Sequence, residues 1–333
     1  TGAEKGIKEF IIGMAHRGRL NVLVNILNKP YKDVFSEFEE NMDEHRGENA
    51  DFLGDVKYNH GRSVDVKTEK GDDVHLSLCP NPSHLEAVAP VAMGKARAKI
   101  DNKYGRDHNN LGTIIIHGDA SIAGQGVVYE TLQMSELPAY ETGGSVHIVI
   151  NNQVGFTTNY IDGRTSTYCT DVAKVTDSPV FHVNGDDAEA VVYVCKLAME
   201  FRAQFNRDVF IDLLRYRRHC HNEGDEPRFT QPKLYSIIEK HPNPRDIYFE
   251  KLKERGDVDK NAAKKMEKEF KKMLQDRLDE VKSDKQAVKY SFMQSAWKDL
   301  RLDNKGDWDE SPETGVAEKE LREIANRMLD LPD

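Results

Sequence analysis

Apolar, β-branched runs alternate with stretches of helical spacing from residue 1 to about residue 230, a rhythm that restricts the chain to a parallel sheet with helices on both faces. The runs are FIIGM (10–14), TIIIH (113–117), SVHIVIN (145–151), VFHVN (180–184) and DVFIDLLRY (208–216). Between the last two, DDAEAVVYVCKLAMEFRAQF has apolar residues at helical spacing behind an Asp-rich start, which predicts an N-capped helix. The expected fold class is α/β, a doubly wound and mostly parallel sheet. Such sheets bind ligands at the carboxyl ends of their strands.

After TQP (230–232) the strand-like runs stop and Lys and Glu dominate. Met266, Phe270, Met273, Leu274, Leu278 and Val281 recur at helical spacing, so an amphipathic helix with a charged outer face is expected there. The division that follows is a ligand-binding domain over 1–235 and a helical C-terminal arm over 236–333. A net charge of −10 disfavours non-specific nucleic-acid binding. No apolar run is long enough to cross a membrane, and the N-terminus lacks signal-peptide architecture. The chain does not begin with Met, and EFIIGMAH reads as a strand almost at once; a piece of a longer protein is expected, with any targeting segment upstream. Cys79, Cys169, Cys195 and Cys220 form no C-x-x-C pair, which points to reduced thiols and a reducing compartment.

Two strand ends carry candidate chemistry. TIIIH runs into Gly118-Asp119 and then small residues, Ala120-Ser121; SVHIVI runs into Asn151-Asn152-Gln153-Val154-Gly155. In one parallel sheet, Asp119 and Asn152 would emerge at the same edge. One carboxylate, one amide oxygen and one backbone carbonyl suit Mg²⁺, which takes oxygen ligands and shares its shell with phosphates. Further carboxylates would repel a diphosphate.

GDAS followed, one helix and one strand later, by NNQ resembles the signature of thiamine-diphosphate enzymes, with Ala120 where many of them have glycine. Together with GQGVVYETL (124–132) and NNQVGFTT (151–158), it is similar to the decarboxylating component of 2-oxoglutarate dehydrogenase. AHRGRLNVL (15–23), GDVKY (54–58), NPSHLEAV (81–88), YCTDVAKV (168–175) and HNEGDEPRFTQP (221–232) extend the resemblance over most of the first 245 residues. It implies the thiamine-diphosphate-binding fold, and it implies Asp119, Asn152 and the Val154 carbonyl as Mg²⁺ ligands. Arg17, Ser83, Leu85, Asp119, Ala120, Ser121 and Asn152 would line the cofactor. His16 and a histidine after GDVKY would address the 2-oxo acid. Relatives commonly have that histidine directly after the tyrosine; here Asn59 precedes His60, and either His60 or Asn59 takes the role. Cys220 replaces a glycine usual before HNE, which leaves open whether His221 reaches the diphosphate.

By the same resemblance the cofactor is the electron sink and the protein binds, orients and stabilises charge. The acyl group would pass to a lipoyl-bearing acyltransferase. The enzyme would work as a homodimer, in a bacterial cytoplasm or a mitochondrial matrix, on 2-oxoglutarate or the related 2-oxoadipate. A pyrimidine-binding domain with an activating glutamate is not evident in this sequence, so the chain alone is expected to fold without turning over substrate.

Each motif also has a plainer account. Gly-Asp after a strand is often a turn with a helix cap. His16 could begin a helix with Arg17 and Arg19 on a solvated face. In NPSHLE, Ser83 could cap the helix that follows. RYRRHCHNEGDEP reads equally as a salt-bridged surface turn or an active-site loop. A nicotinamide oxidoreductase is disfavoured because no G-x-G-x-x-G sits at a strand–helix turn, and a nucleoside triphosphatase because no P-loop occurs. A non-catalytic module that scaffolds a multienzyme complex is the remaining rival.

Overall fold

The computed structural model describes residues 1–39, 59–222, 224–259, 261–283, 298–301, 303–304 and 306–331; GDVKY (54–58) lies outside them. The chain begins with β1 (Glu9–Met14), α1 (Arg19–Asn25) and α2 (Tyr31–Phe38), then β2 (Arg62–Lys67), β3 (Asp73–Leu78) and α3 (Val88–Lys103). β4 (Leu111–Gly118) leads directly into α4 (Asp119–Gly124) and α5 (Gly126–Met134), and β5 (Ser145–Asn151) follows. A small ribbon, β6 (Val154–Gly155) with β7 (Thr158–Asn159), precedes α6 (Tyr160–Gly163). β8 (Val180–Asn184), α7 (Ala188–Phe205) and β9 (Val209–Leu214) complete the sheet.

Seven strands join in the order β2-β3-β1-β4-β5-β9-β8, all neighbours parallel except β2 with β3. The order runs outward in both directions from β1 and β4, so the switch point lies between them. β1, β4, β5, β8 and β9 coincide with the five apolar runs. β2 and β3 were not expected: RSVDVK and DVHLSL alternate polar with apolar residues, and β2 is a partly exposed edge strand.

Alternation of side chains along each strand divides the core between two faces. On one face Ile11, Leu111 and Ile115 pack under α3 through Val88, Ala92, Ala96 and Ile100. Further along that face, Val149 and Phe210 meet Ile122, Val128 and Leu132 of α4 and α5. On the other face Ile12, Met14 and Leu78 pack under α1 through Leu23 and Leu27, and Val146, Val209 and Ile211 lie under α7 through Ala198. The Asp-rich start of α7 caps it as its sequence predicts, the Asp187 carboxylate accepting from the Ala190 amide at 3.2 Å. Ser83 does not cap α3. That helix starts at Val88 behind Ala87, which gives no side-chain cap, because Glu86 takes a left-handed φ of 67° and breaks the turn first.

Beyond β9 come α8 (Pro232–Ile238), α9 (Pro244–Arg255) and α10 (Ala262–Ser283). α10 covers the predicted amphipathic stretch and packs on α2, with the Tyr31 and Phe270 rings 5.9 Å apart. The chain separates into two compact units, Thr1–Phe292 and Met293–Asp333. The second contains α11 (Glu318–Leu329), braced by Arg322–Glu318 and Arg327–Glu323 ion pairs.

Entry into β5 depends on Gly144, whose φ is +82° and where an added Cβ would sit 2.4 Å from the Arg207 backbone. Gly144→Ala is expected to destabilise the fold by about 2 kcal/mol or more, from the left-handed backbone and the clash together. Denaturant unfolding of both proteins measures the difference.

Candidate active site

Parallel pairing fixes the site. Gly118 of β4 is in register with Ile150 of β5, so the loops after the two strands leave the sheet side by side. Asp119 opens α4 and is buried; the Asn152 backbone amide faces its carboxylate. Burial pushes the Asp119 carboxyl up, opposed mainly by Arg164, whose Nη1 lies 3.4 Å away. Gln153 adopts φ +65°, which turns the chain so that the Asn152 side-chain oxygen accepts from the Val154 amide at 3.4 Å. Behind this turn the Asn151 amide donates to Asp212 at 3.0 Å, and Arg215 N donates to the Asn151 carbonyl at 2.7 Å.

These loops enclose a cavity of about 180 Å³. Of the predicted site residues, His16, Arg17, Leu85, Asp119, Ala120, Ser121, Asn152 and Val154 line it. A second cavity of about 330 Å³ shares Leu85, Asp119, Ala120 and Ser121 and reaches Arg164. His16 follows β1 and sits with its ring centroid 6.0 Å from that of His221, which also lines the first cavity and packs edge-on to Phe156. Desolvation, Arg17 and His221 together lower the His16 pKa, so the ring is neutral near neutral pH. Ser83 and His60 are not among the lining residues of either cavity.

His60 points instead toward α2, its Nδ1 3.6 Å from Glu37 Oε1. Its backbone is held by Arg19, which donates from Nε and Nη2 to the His60 carbonyl at 3.2 and 2.8 Å, and also to the carbonyls of Met14 and Cys79. Arg19 is therefore a buried tie between the ends of β1 and β3 and the His60 segment, not part of a solvated face. Asn59 is buried, and its carbonyl accepts from Asn81. The RYRR segment has both characters: Arg217 is buried and donates to the Phe156 carbonyl at 2.6 Å, whereas exposed Arg218 donates to the His241 carbonyl at 2.9 Å.

Several residues at the site had no predicted role. Glu86, His117 and His147 form a buried hydrogen-bonded row beside Ser121, and Arg164 faces Asp119. A histidine inside an otherwise apolar strand signals a buried partner, and both TIIIH and SVHIVI carry one. Arg164 left no such signal.

The first turn of α4 lies close against β6: a Cβ added at Gly155 would come within 2.7 Å of the Ala120 Cβ. Gly155→Ala is expected to cost about 1–3 kcal/mol by overpacking. Adding Ala120→Gly should recover most of it, and a double-mutant cycle by thermal unfolding measures the coupling.

With this geometry in place, comparisons with known proteins assign the chain. It is 54% identical over 252 residues to "2-oxoglutarate dehydrogenase, mitochondrial" of Dictyostelium discoideum, covering 76% of this chain and 25% of that protein. It is 43% identical over 340 aligned positions to "2-oxoglutarate dehydrogenase E1 component" of Brucella ovis, covering 99% of this chain and 34% of that protein. The chain thus spans a quarter to a third of the length of these curated relatives. A family model described as "Dehydrogenase E1 component" matches residues 2–289, and the chain belongs to that family.

Proposed function

We propose that this chain is the diphosphate-binding part of the decarboxylating component of a 2-oxoglutarate dehydrogenase complex, and that it holds thiamine diphosphate together with Mg²⁺. The observation that carries this is the convergence of Asp119 and Asn152, after β4 and β5, on one cavity that His16 and Arg17 after β1 also line. The names of the relatives support 2-oxoglutarate as the substrate. Residues 1–235 form the binding domain in this proposal, and 236–333 an arm toward a pyrimidine-binding domain. The working enzyme is a homodimer that passes its acyl group to a lipoyl-bearing acyltransferase. The similarity to a mitochondrial relative and to bacterial ones is consistent with a mitochondrial matrix or bacterial cytoplasm. No described helix is long and apolar enough to cross a membrane.

The residues present fit the cofactor. Asp119, Asn152 and the Val154 carbonyl offer one carboxylate, one amide oxygen and one backbone oxygen, hard donors of the kind Mg²⁺ takes when phosphates complete its shell. Burial disfavours the charged form of Asp119, and a divalent ion would favour it. Arg17, Leu85, Ala120 and Ser121 line the same space and would hold the organic part and the diphosphate. When bound, thiamine diphosphate supplies the nucleophilic carbon and the electron sink for decarboxylation.

The chain's own contribution to the chemistry centres on His16. Neutral at neutral pH, its imidazole keeps one N–H to donate to the carboxylate or oxo group of the substrate, with Arg17 beside it as a fixed cation.

Two experiments on the intact protein test the proposal. Thiamine diphosphate should bind in a Mg²⁺-dependent manner, EDTA should abolish that binding, and Asp119→Asn should weaken it by about a hundredfold, on the order of 2.7 kcal/mol for a lost charge–metal contact. Calorimetric titration showing no Mg²⁺-dependent binding would overturn the assignment. His16→Ala should lower turnover about a hundred- to ten-thousand-fold. In that variant cofactor affinity should stay near wild type, and steady-state kinetics with the same titration separate the two quantities.

A further inference from the structure

Glu86 closes the SHLE part of the NPSHLEAV block, and neither the motif nor the cofactor assignment gives it a task. It is buried, and its φ of 67° places it in the left-handed region, where a glutamate is uncommon. Both carboxylate oxygens are engaged. Oε1 accepts from the Ser121 hydroxyl across 35 residues of sequence, and Oε2 accepts from His117 Nδ1 at 2.6 Å.

The partners are themselves fixed. An ionised carboxylate can only accept, so His117 carries its proton on Nδ1. The other ring nitrogen, Nε2, is hydrogen-bonded to His147 Nδ1 at 3.0 Å. The His147 ring stacks on Phe210 with centroids 4.3 Å apart. A row of contacts thus anchors Glu86 to β4, β5 and β9 on one side, while its other oxygen reaches into the first turn of α4.

We propose that Glu86 is a positioning residue for the cofactor cavity, locking the Leu85 loop to Ser121 so that Leu85 and Asp119–Ser121 present one fixed wall. This rests on the thiamine-diphosphate assignment above. Leu85, next to Glu86 in the chain, lines both cavities, as does Ser121, and the Glu86–Ser121 bond joins the two segments across their shared edge. Without it, the Ser121 hydroxyl turns back to the Gly118 carbonyl, 3.1 Å away, a bond within its own turn. Glutamine at position 86 keeps the volume but replaces the charged acceptor by a neutral amide, which gives up the charge-assisted bonds to Ser121 and His117, roughly twice as strong as neutral ones.

The test is made in the intact protein at fixed, saturating Mg²⁺. Glu86→Gln should raise the Kd for thiamine diphosphate at least tenfold, with the thermal midpoint nearly unchanged and kcat at saturating cofactor within about threefold of wild type. Ser121→Ala should show a similar loss, and the double variant should be no weaker than either single one, because both remove the same tie. Wild-type affinity in Glu86→Gln overturns the proposal, as do losses that multiply in the double variant or a loss confined to kcat. Should Glu86→Gln fail to fold, Glu86→Asp decides, since it keeps the charge but is one methylene too short to reach Ser121 and His117 together: a tenfold weaker Kd supports the positioning role, and unchanged affinity overturns it. A wild-type protein that binds no thiamine diphosphate overturns the cofactor assignment itself, whereas wild-type binding with unaltered Glu86→Gln affinity overturns this inference alone.

Discussion

The parallel pairing of β4 with β5 is the constraint on which the site depends. Asp119 and Asn152 are separated by a helix pair, a loop and a strand in sequence, and only the register Gly118–Ile150 brings their loops together. Register in turn is held by what alternates along the strands. Ile115, Val149 and Phe210 must face α3 and α5, while Ile114, Val146 and Ile211 face the opposite layer. A slip of one residue would exchange these sets and turn polar His117 and His147 into the other core. Core packing therefore specifies the cavity, and Ile116, packed against the layer under α1, lines it directly.

Polar groups are concentrated on the same face as α4 and α5. Asp119 with Arg164, Glu86 with His117 and Ser121, and Asp212 with Asn151 are all at least partly buried and hydrogen-bonded or paired. Such groups add little net stability, since the desolvation they suffer offsets much of the attraction between them. Their effect is on geometry, because each has one arrangement that satisfies its partners and many that do not. The layer under α1 and α7 is by contrast mostly aliphatic, while apolar clusters stabilise both faces.

The sequence made the central strands legible because each is a predominantly apolar run rich in Ile and Val, as expected where both faces of a strand are covered. It hid β2 and β3, whose alternating polar residues suit an edge and give no strong apolar signal. At the site, the residues that follow β4 and β5 could be named in advance, since a strand end points to a sheet edge whatever its partner, while His16 and Arg17 after β1 were named through the family resemblance. The residues that act through distant partners could not. Arg19 looked like one of two surface arginines, yet it ties three segments through their carbonyls, and nothing local distinguishes it from the exposed Arg17. His60 was placed at the site by its neighbourhood in sequence, but its orientation is set by Glu37 on α2, a contact across 23 positions that spacing alone does not reveal.

Ala120 and Gly155 show how two motifs can be one physical feature. Glycine at the third position of Gly-Asp-Gly leaves room for whatever approaches α4, and in this chain alanine fills that room. The methyl group is accommodated because the facing residue, Gly155 of the NNQVGF block, has no Cβ of its own. The gap between the two loops has room for one methyl group and not for two, as close packing requires. The departure at Ala120 and the glycine after NNQV are therefore steric complements. Their co-occurrence in one sequence reflects the separation of the two loops more than the identity of any ligand between them.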